Sequence, residues 1–172
     1  MPDILPDLQH EYRRYKDLAD RAIAALDEHA FARRPSEIAN SIALIIKHLA
    51  GNLRSRFTDF LTTDGEKPDR NRDGEFILAE EDTRERLLSR WEDGWRTLFG
   101  VLGTLTEADL ARTVTIRGEA HTVFQALLRS VNHAAYHVGQ IVYLSRLFQP
   151  ESPWLTIAPG ESGSHRPAYR KT

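Results

Sequence analysis

Apolar residues return every three or four positions in four stretches of this chain, the spacing of helices that bury one face. The first, from about Pro6 to Glu28, carries Leu8, Tyr12, Tyr15, Ala19, Ala22 and Leu26, with Arg13, Arg14, Lys16, Asp17, Asp20 and Arg21 between them on a solvated face. In the second, Asn40 and Ser41 supply cap chemistry ahead of IALIIKHLAGNLRSRFTDFL, which the pattern carries to about Thr62. Its Ile42, Ile45, Ile46, Leu49, Leu53, Phe57, Phe60 and Leu61 are dense enough to bury most of that helix. A third begins at Thr83 and places Leu88, Trp91, Trp95, Leu98, Leu102 and Leu105 in a bundle-type stripe, with the tryptophans expected in the core or at a subunit interface. The fourth runs from Thr122 to Phe148. Thr122 and Gln125 form its capping box, Pro150 marks its stop, and a wide apolar arc through Phe124, Leu127, Leu128, Val131, Val138, Ile141, Val142, Leu144 and Phe148 makes it a central element.

The connections are shorter on pattern and richer in signals. Thr63 to Phe76, TDGEKPDRNRDGEF, is a loop whose alternating charges suit a salt-bridged, ordered segment or a solvated connector equally. Thr106 to Asp109 is a capping box opening a short helical turn, and TVTIRGEAHT alternates around Arg117 and Gly118 like a small hairpin. Beyond Pro150 the chain is rich in Pro, Gly and Ser, an extended tail expected to fold over the domain through Trp154, Leu155 and Ile157. The fold expected is all-α. It is an up-down four-helix bundle over residues 1–150, with a hairpin before the last helix and a tail, residues 151–172, packing on or near the bundle.

Candidate chemistry enters through the histidines. His133 and His137 are four positions apart on the last helix, so they share one face about one turn apart and can bind one metal ion, although hydrogen-bonded core histidines also fit this spacing. Ala134 stands where an HExxH protease has its glutamate, which excludes that class. His48 lies alone inside the second helix, where a satisfied core residue is the simpler reading. One bundle interior can nonetheless bring it to the other two. His29 is placed at the end of the first helix near free carbonyls, His121 as a cap or lip residue, and His10 and His165 as exposed.

Composition narrows the rest. At 172 residues the chain fits one domain that can bury roughly 70% of its extended surface, without a cofactor to hold it folded. It has no cysteine, so any metal must be held by His, Asp or Glu. A net charge of −2 gives no footprint for nucleic acid. The acidic, proline-broken N-terminus and the lack of a long apolar run point to a soluble, cytoplasmic protein with no membrane partner.

NSIALIIKHLAGNL (Asn40 to Leu53) and NHAAYHVGQIVYL (Asn132 to Leu144) resemble the DinB/YfiT-like superfamily of candidate metalloenzymes, and DFLTTDGEKPDRNRDGEF (Asp59 to Phe76) looks like the signature of an uncharacterised subfamily within it. The resemblance covers nearly the whole chain. It implies a four-helix bundle in which His48, His133 and His137 ligate a divalent ion, zinc or nickel, with related bundles often dimeric. A homodimer burying the Trp91 and Trp95 stripe is expected on that basis. Three imidazoles leave coordination positions open, the mark of a catalytic site. Similar proteins include transferases that join a small thiol to an electrophile, so a metal-dependent thiol S-transferase is the leading expectation, with a small-molecule thiol and electrophile as partners. A non-catalytic metal-binding or ligand-sensing bundle is the rival, and a small metal-dependent hydrolase comes third. The loop from Asp64 to Glu75 and the tail around Trp154 could line the entrance without a chemical role, and Gln140 is read as packing.

Overall fold

In a computed structural model, which describes residues 4–164, the apolar stripes become four long helices and a fifth short one. They are α1 (Ile4–Ala24), α2 (Glu28–Ala32), α3 (Ile42–Phe57), α4 (Arg84–Leu102) and α5 (Val123–Phe148). Side-chain caps hold three of them, at the predicted Ser41 and Thr122 and also at Thr83. Ser41 Oγ accepts from Leu44 N at 3.3 Å, Thr83 Oγ1 from Arg86 N at 3.3 Å, and Thr122 and Gln125 satisfy each other's backbone N–H groups. Two ends differ from expectation. Asp27 accepts from Ala30 N and starts α2 afresh, so α1 stops at Ala24 although Leu26 remains buried in the core. The second long helix ends at Phe57, not Thr62, because Asp59 adopts a φ of 48° and the following turn folds back on its carbonyl.

The core is shared by all the long helices. Chiefly, α1 packs along α5 and α3 along α4, while a smaller α3 to α5 contact closes the centre. Tyr12 Oη donates to Leu127 O at 2.9 Å and Ser145 Oγ to Ala22 O at 3.0 Å, pinning α1 to α5. On the other side Gly94 lets α4 approach α3 closely: a Cβ there would lie 3.0 Å from Ala50 O. Phe124 and Leu128, counted within the apolar arc of the last helix, face outward, as do Tyr136, Tyr143 and Leu147.

Trp91 and Trp95 are 1% and 0% exposed within the single chain, so they are core residues and their stripe offers no face to a twin. A homodimer would have to use another surface. The two differ in one respect: Trp91 Nε1 donates to Asp20 Oδ1 at 2.8 Å, whereas Trp95 Nε1 has no partner among the described residues. Trp91→Phe and Trp95→Phe remove the same volume, but only the first removes a hydrogen bond. Chemical denaturation should therefore show Trp91→Phe to be the more destabilising by about 1 kcal/mol or more. Equal losses would contradict that accounting.

The hairpin is as predicted: β1 (Thr113–Ile116) pairs antiparallel with β2 (Glu119–Thr122), and the two turn residues Arg117 and Gly118 have φ of 57° and 76°, the left-handed pair that a tight two-residue hairpin needs. It anchors the charged loop. Asp64 accepts from Arg117 N at 2.8 Å and Gly118 N at 2.7 Å, which holds its carboxyl well below the usual carboxylate range, and Gly65 N donates to Thr115 O at 2.8 Å. The loop is thus ordered, ending in a short 3-10 turn at Asp73–Phe76.

The described part of the tail lies against α1 and α5. Leu155 packs on the core and its carbonyl accepts from Arg21, while Trp154 and Ile157 stay exposed, Trp154 beneath the Arg146 guanidinium. No helix among the described residues is long and apolar enough to cross a membrane.

Candidate metal centre

The three predicted histidines meet. His48 comes from the middle of α3, and His133 and His137 from successive turns of α5, where the four-residue step puts both rings on the face turned to α3. One ring nitrogen from each lies within 4.8 Å of the other two. His48 Nε2 and His133 Nε2 are 3.3 Å apart. Two ligands of a tetrahedral ion, each about 2.0–2.1 Å from it, are separated by about 3.3 Å. His137 Nε2 is buried and has no hydrogen-bond partner among the described residues. A buried imidazole nitrogen left bare beside two others is what a metal ligand looks like without its ion, and the three could hold one ion between them.

The rings are aimed from behind. His48 Nδ1 lies 2.8 Å from Glu75 Oε2, and His137 Nδ1 lies 2.8 Å from Gln140 Oε1. With Nδ1–H donating to these oxygens, the Nε2 lone pairs point inward, the tautomer that a metal requires. Phe76 stacks on His48 with ring centroids 4.8 Å apart, and Tyr136 packs against both other imidazoles. Burial lowers His133 to about 3, with the neighbouring His137, His48, Arg56 and Arg70 adding to it. Burial likewise lowers His137 to about 4, against the bond from Gln140. Both rings are neutral at pH 7 and free to coordinate.

Glu75 is the residue that sequence reasoning missed. It sits on the 3-10 turn ending the charged loop, and its carboxylate is divided between His48 and the Arg70 guanidinium, whose Nε and Nη2 donate at 2.8 Å each. Burial would raise its pKa, but these two partners more than offset that and hold it low, as a carboxylate. Gly51, in the HLAGNL segment, makes room for it: a Cβ there would overlap the Glu75 carboxylate, with Glu75 Cδ 2.9 Å away. Gln140, expected to pack, is instead the acceptor that orients His137.

The other described histidines stay apart from the centre. His121 is on β2, half-buried, with Nδ1 2.9 Å from Glu119 O; His29 is exposed on α2; His10 is half-buried on α1, not exposed; His165 lies outside the described residues. Beside His48 and His133 a cavity of about 480 Å³ opens, so two of the three imidazoles face a space large enough for a small molecule.

A family model described as "Protein of unknown function (DUF1572)" matches residues 2–161. Among solved structures, the crystal structure of the conserved protein of a locus from Enterococcus faecalis is similar in fold, with a TM-score of 0.64 at 14% identity over 88% of this chain and 100% of that one. No curated protein matches the chain.

Proposed function

The chain belongs to the DUF1572 family, and from the centre just described we propose that it is a metal-dependent enzyme of the DinB/YfiT-like kind, in which His48, His133 and His137 hold zinc or nickel at the middle of an up-down four-helix bundle. The observation that carries the reading is the bare, buried Nε2 of His137 facing two further imidazoles. The chemistry such an ion supplies is Lewis acidity, which lowers the pKa of a thiol or water donor towards neutrality.

The reaction favoured is thiol S-transfer to an electrophile. The donor gives its proton to solvent, a sulfur–carbon bond forms, and the leaving group departs from that carbon with the bonding pair. What supports it over hydrolysis is the state of the nearest carboxylate: both oxygens of Glu75 are committed to His48 and Arg70, so it is poorly placed to take a proton from water. A thiol, already more acidic than water, would need no such base beside an ion held by His48, His133 and His137. Glu75 and Gln140 orient the imidazoles, while Phe76 and Tyr136 screen them with aromatic surface.

The test is conjugation of a small thiol to a chloronitrobenzene by the metal-loaded protein. Activity should fall by at least 100-fold in His137→Ala that retains its helical circular dichroism. Metal binding without turnover would favour a non-catalytic bundle, and ester cleavage without thiol a hydrolase; either outcome would overturn S-transfer.

A further inference from the structure

The cavity beside the centre is lined by five arginines, Arg56, Arg70, Arg72, Arg117 and Arg129, and by no acidic side chain. Carboxylates behind them are too few to match. Glu66 alone is shared by Arg56 at 3.8 Å, Arg70 at 3.2 Å and Arg117 at 3.3 Å, and Glu75 is taken by Arg70 and His48. Among the described residues, Arg72 pairs only with the exposed Asp73, at 3.7 Å. Arg129 makes no ion pair among the described residues. Arg56, with a side chain only 11% exposed, keeps Nη1 buried without a hydrogen-bond partner among the described residues. A buried guanidinium nitrogen without a partner, as at Arg56, is costly unless an anion or water completes it.

Their positions follow from helix geometry. On α3, His48, Asn52 and Arg56 succeed one another at four-residue steps; on α5, Arg129, His133 and His137 do the same. Each helix therefore presents a metal-facing imidazole and a guanidinium on one face. The separation along the axis is about 12 Å from His48 to Arg56 and about 6 Å from His133 to Arg129. All but His137 line the cavity.

We propose that this cavity is an oxyanion subsite, in which Arg56 and Arg129 bind a carboxylate or phosphate at one end of an elongated substrate whose other end reaches the three histidines. Planar, multiply donating guanidinium groups match both oxyanions, and Arg70, Arg72 and Arg117 add field without being needed for direct contact. The assignment of the far end rests on the proposed metal centre; the anion site itself does not.

The experiment measures the rise in Tm produced by inorganic phosphate and, separately, by succinate at constant ionic strength. It compares wild type, His137→Ala, Arg129→Gln, Arg56→Gln and Arg34→Gln. Arg34 is an exposed arginine outside the cavity, and Arg129 is exposed, so its replacement leaves the core intact even if Arg56→Gln does not fold. Saturable stabilisation is expected in wild type and in metal-deficient His137→Ala alike, so direct coordination of the anion by metal cannot account for it. Arg129→Gln should weaken it by about 10-fold or more, the loss of a charge-assisted hydrogen bond, and Arg34→Gln should leave it unchanged. Preference for phosphate or for succinate, with this mutant pattern, supports the subsite and assigns its class. No saturation in either protein, or equal behaviour of Arg129→Gln and Arg34→Gln, would overturn it while leaving the metal reading intact. Anion binding retained in a wild type that takes up no metal would do the reverse.

Discussion

Glu75→Gln is expected to weaken metal binding roughly 10- to 100-fold, the usual cost of removing the acceptor behind a ligating histidine, although residue 75 touches no ion. The amide keeps the shape of the carboxylate but loses its charge, so His48 Nδ1–H donates to a weaker acceptor. The same change acts on the fold. Arg70 and Glu75 have side chains only 5% and 8% exposed, and without the carboxylate the guanidinium loses the acceptor of its Nε–H and keeps a single ion pair, the longer one with Glu66. Uncompensated burial of a charge costs on the order of 3 kcal/mol. Metal titration and urea denaturation of the same variant check both halves. Unchanged affinity would remove Glu75 from the centre, and unchanged stability would mean that the ion pair with Arg70 contributes nothing net.

Acid should undo the metal-free protein earlier than its carboxylates alone would allow. His133 and His137 titrate near 6.5 when unfolded but only at about 3 and about 4 when folded. Between pH 6.5 and those values the unfolded chain binds more protons than the folded one, so stability is fully present above 6.5 and declines as pH falls. Carboxylates enter only lower: Glu75, Asp82 and Asp109 are all held below their ordinary values of 4.5, 3.8 and 3.8. The window from 6.5 to 4.5 therefore isolates the histidines. Denaturation midpoints of apo protein should fall steadily through it, and the His133→Ala/His137→Ala double variant should be nearly flat. A flat wild-type profile would show the two rings to be charged or solvated in the folded state.

Much of this was legible in the residues because the signals were local. Ser41, Thr83 and the Thr122 and Gln125 pair announce helix starts through side chains that reach only three positions. Arg117 and Gly118 take the left-handed backbone their turn needs. Helix ends were harder. Leu26 keeps the rhythm of α1 and is buried, yet Asp27 restarts the chain, and apolar spacing cannot distinguish one helix from two that share a core. The histidine pair was readable from its four-residue step; its meeting with His48 required the packing of α3 on α5. Glu75 had no periodicity to betray it. It lies 27 positions from His48 in a loop where acids and bases alternate, and only tertiary structure selects it from its neighbours Asp69 and Asp73. Burial of Trp91 and Trp95 decides between the two places expected for them: the stripe is core, and apolar spacing alone could not distinguish it from an interface.

The central claim is one ion held by three imidazoles. Purified wild type and the single variants His48→Ala, His133→Ala and His137→Ala, each with helical circular dichroism retained, should be dialysed with zinc or nickel and submitted to elemental analysis. Wild type should carry one ion per chain and each variant less than a tenth of that. Equal metal content across the four proteins would contradict the account at its base.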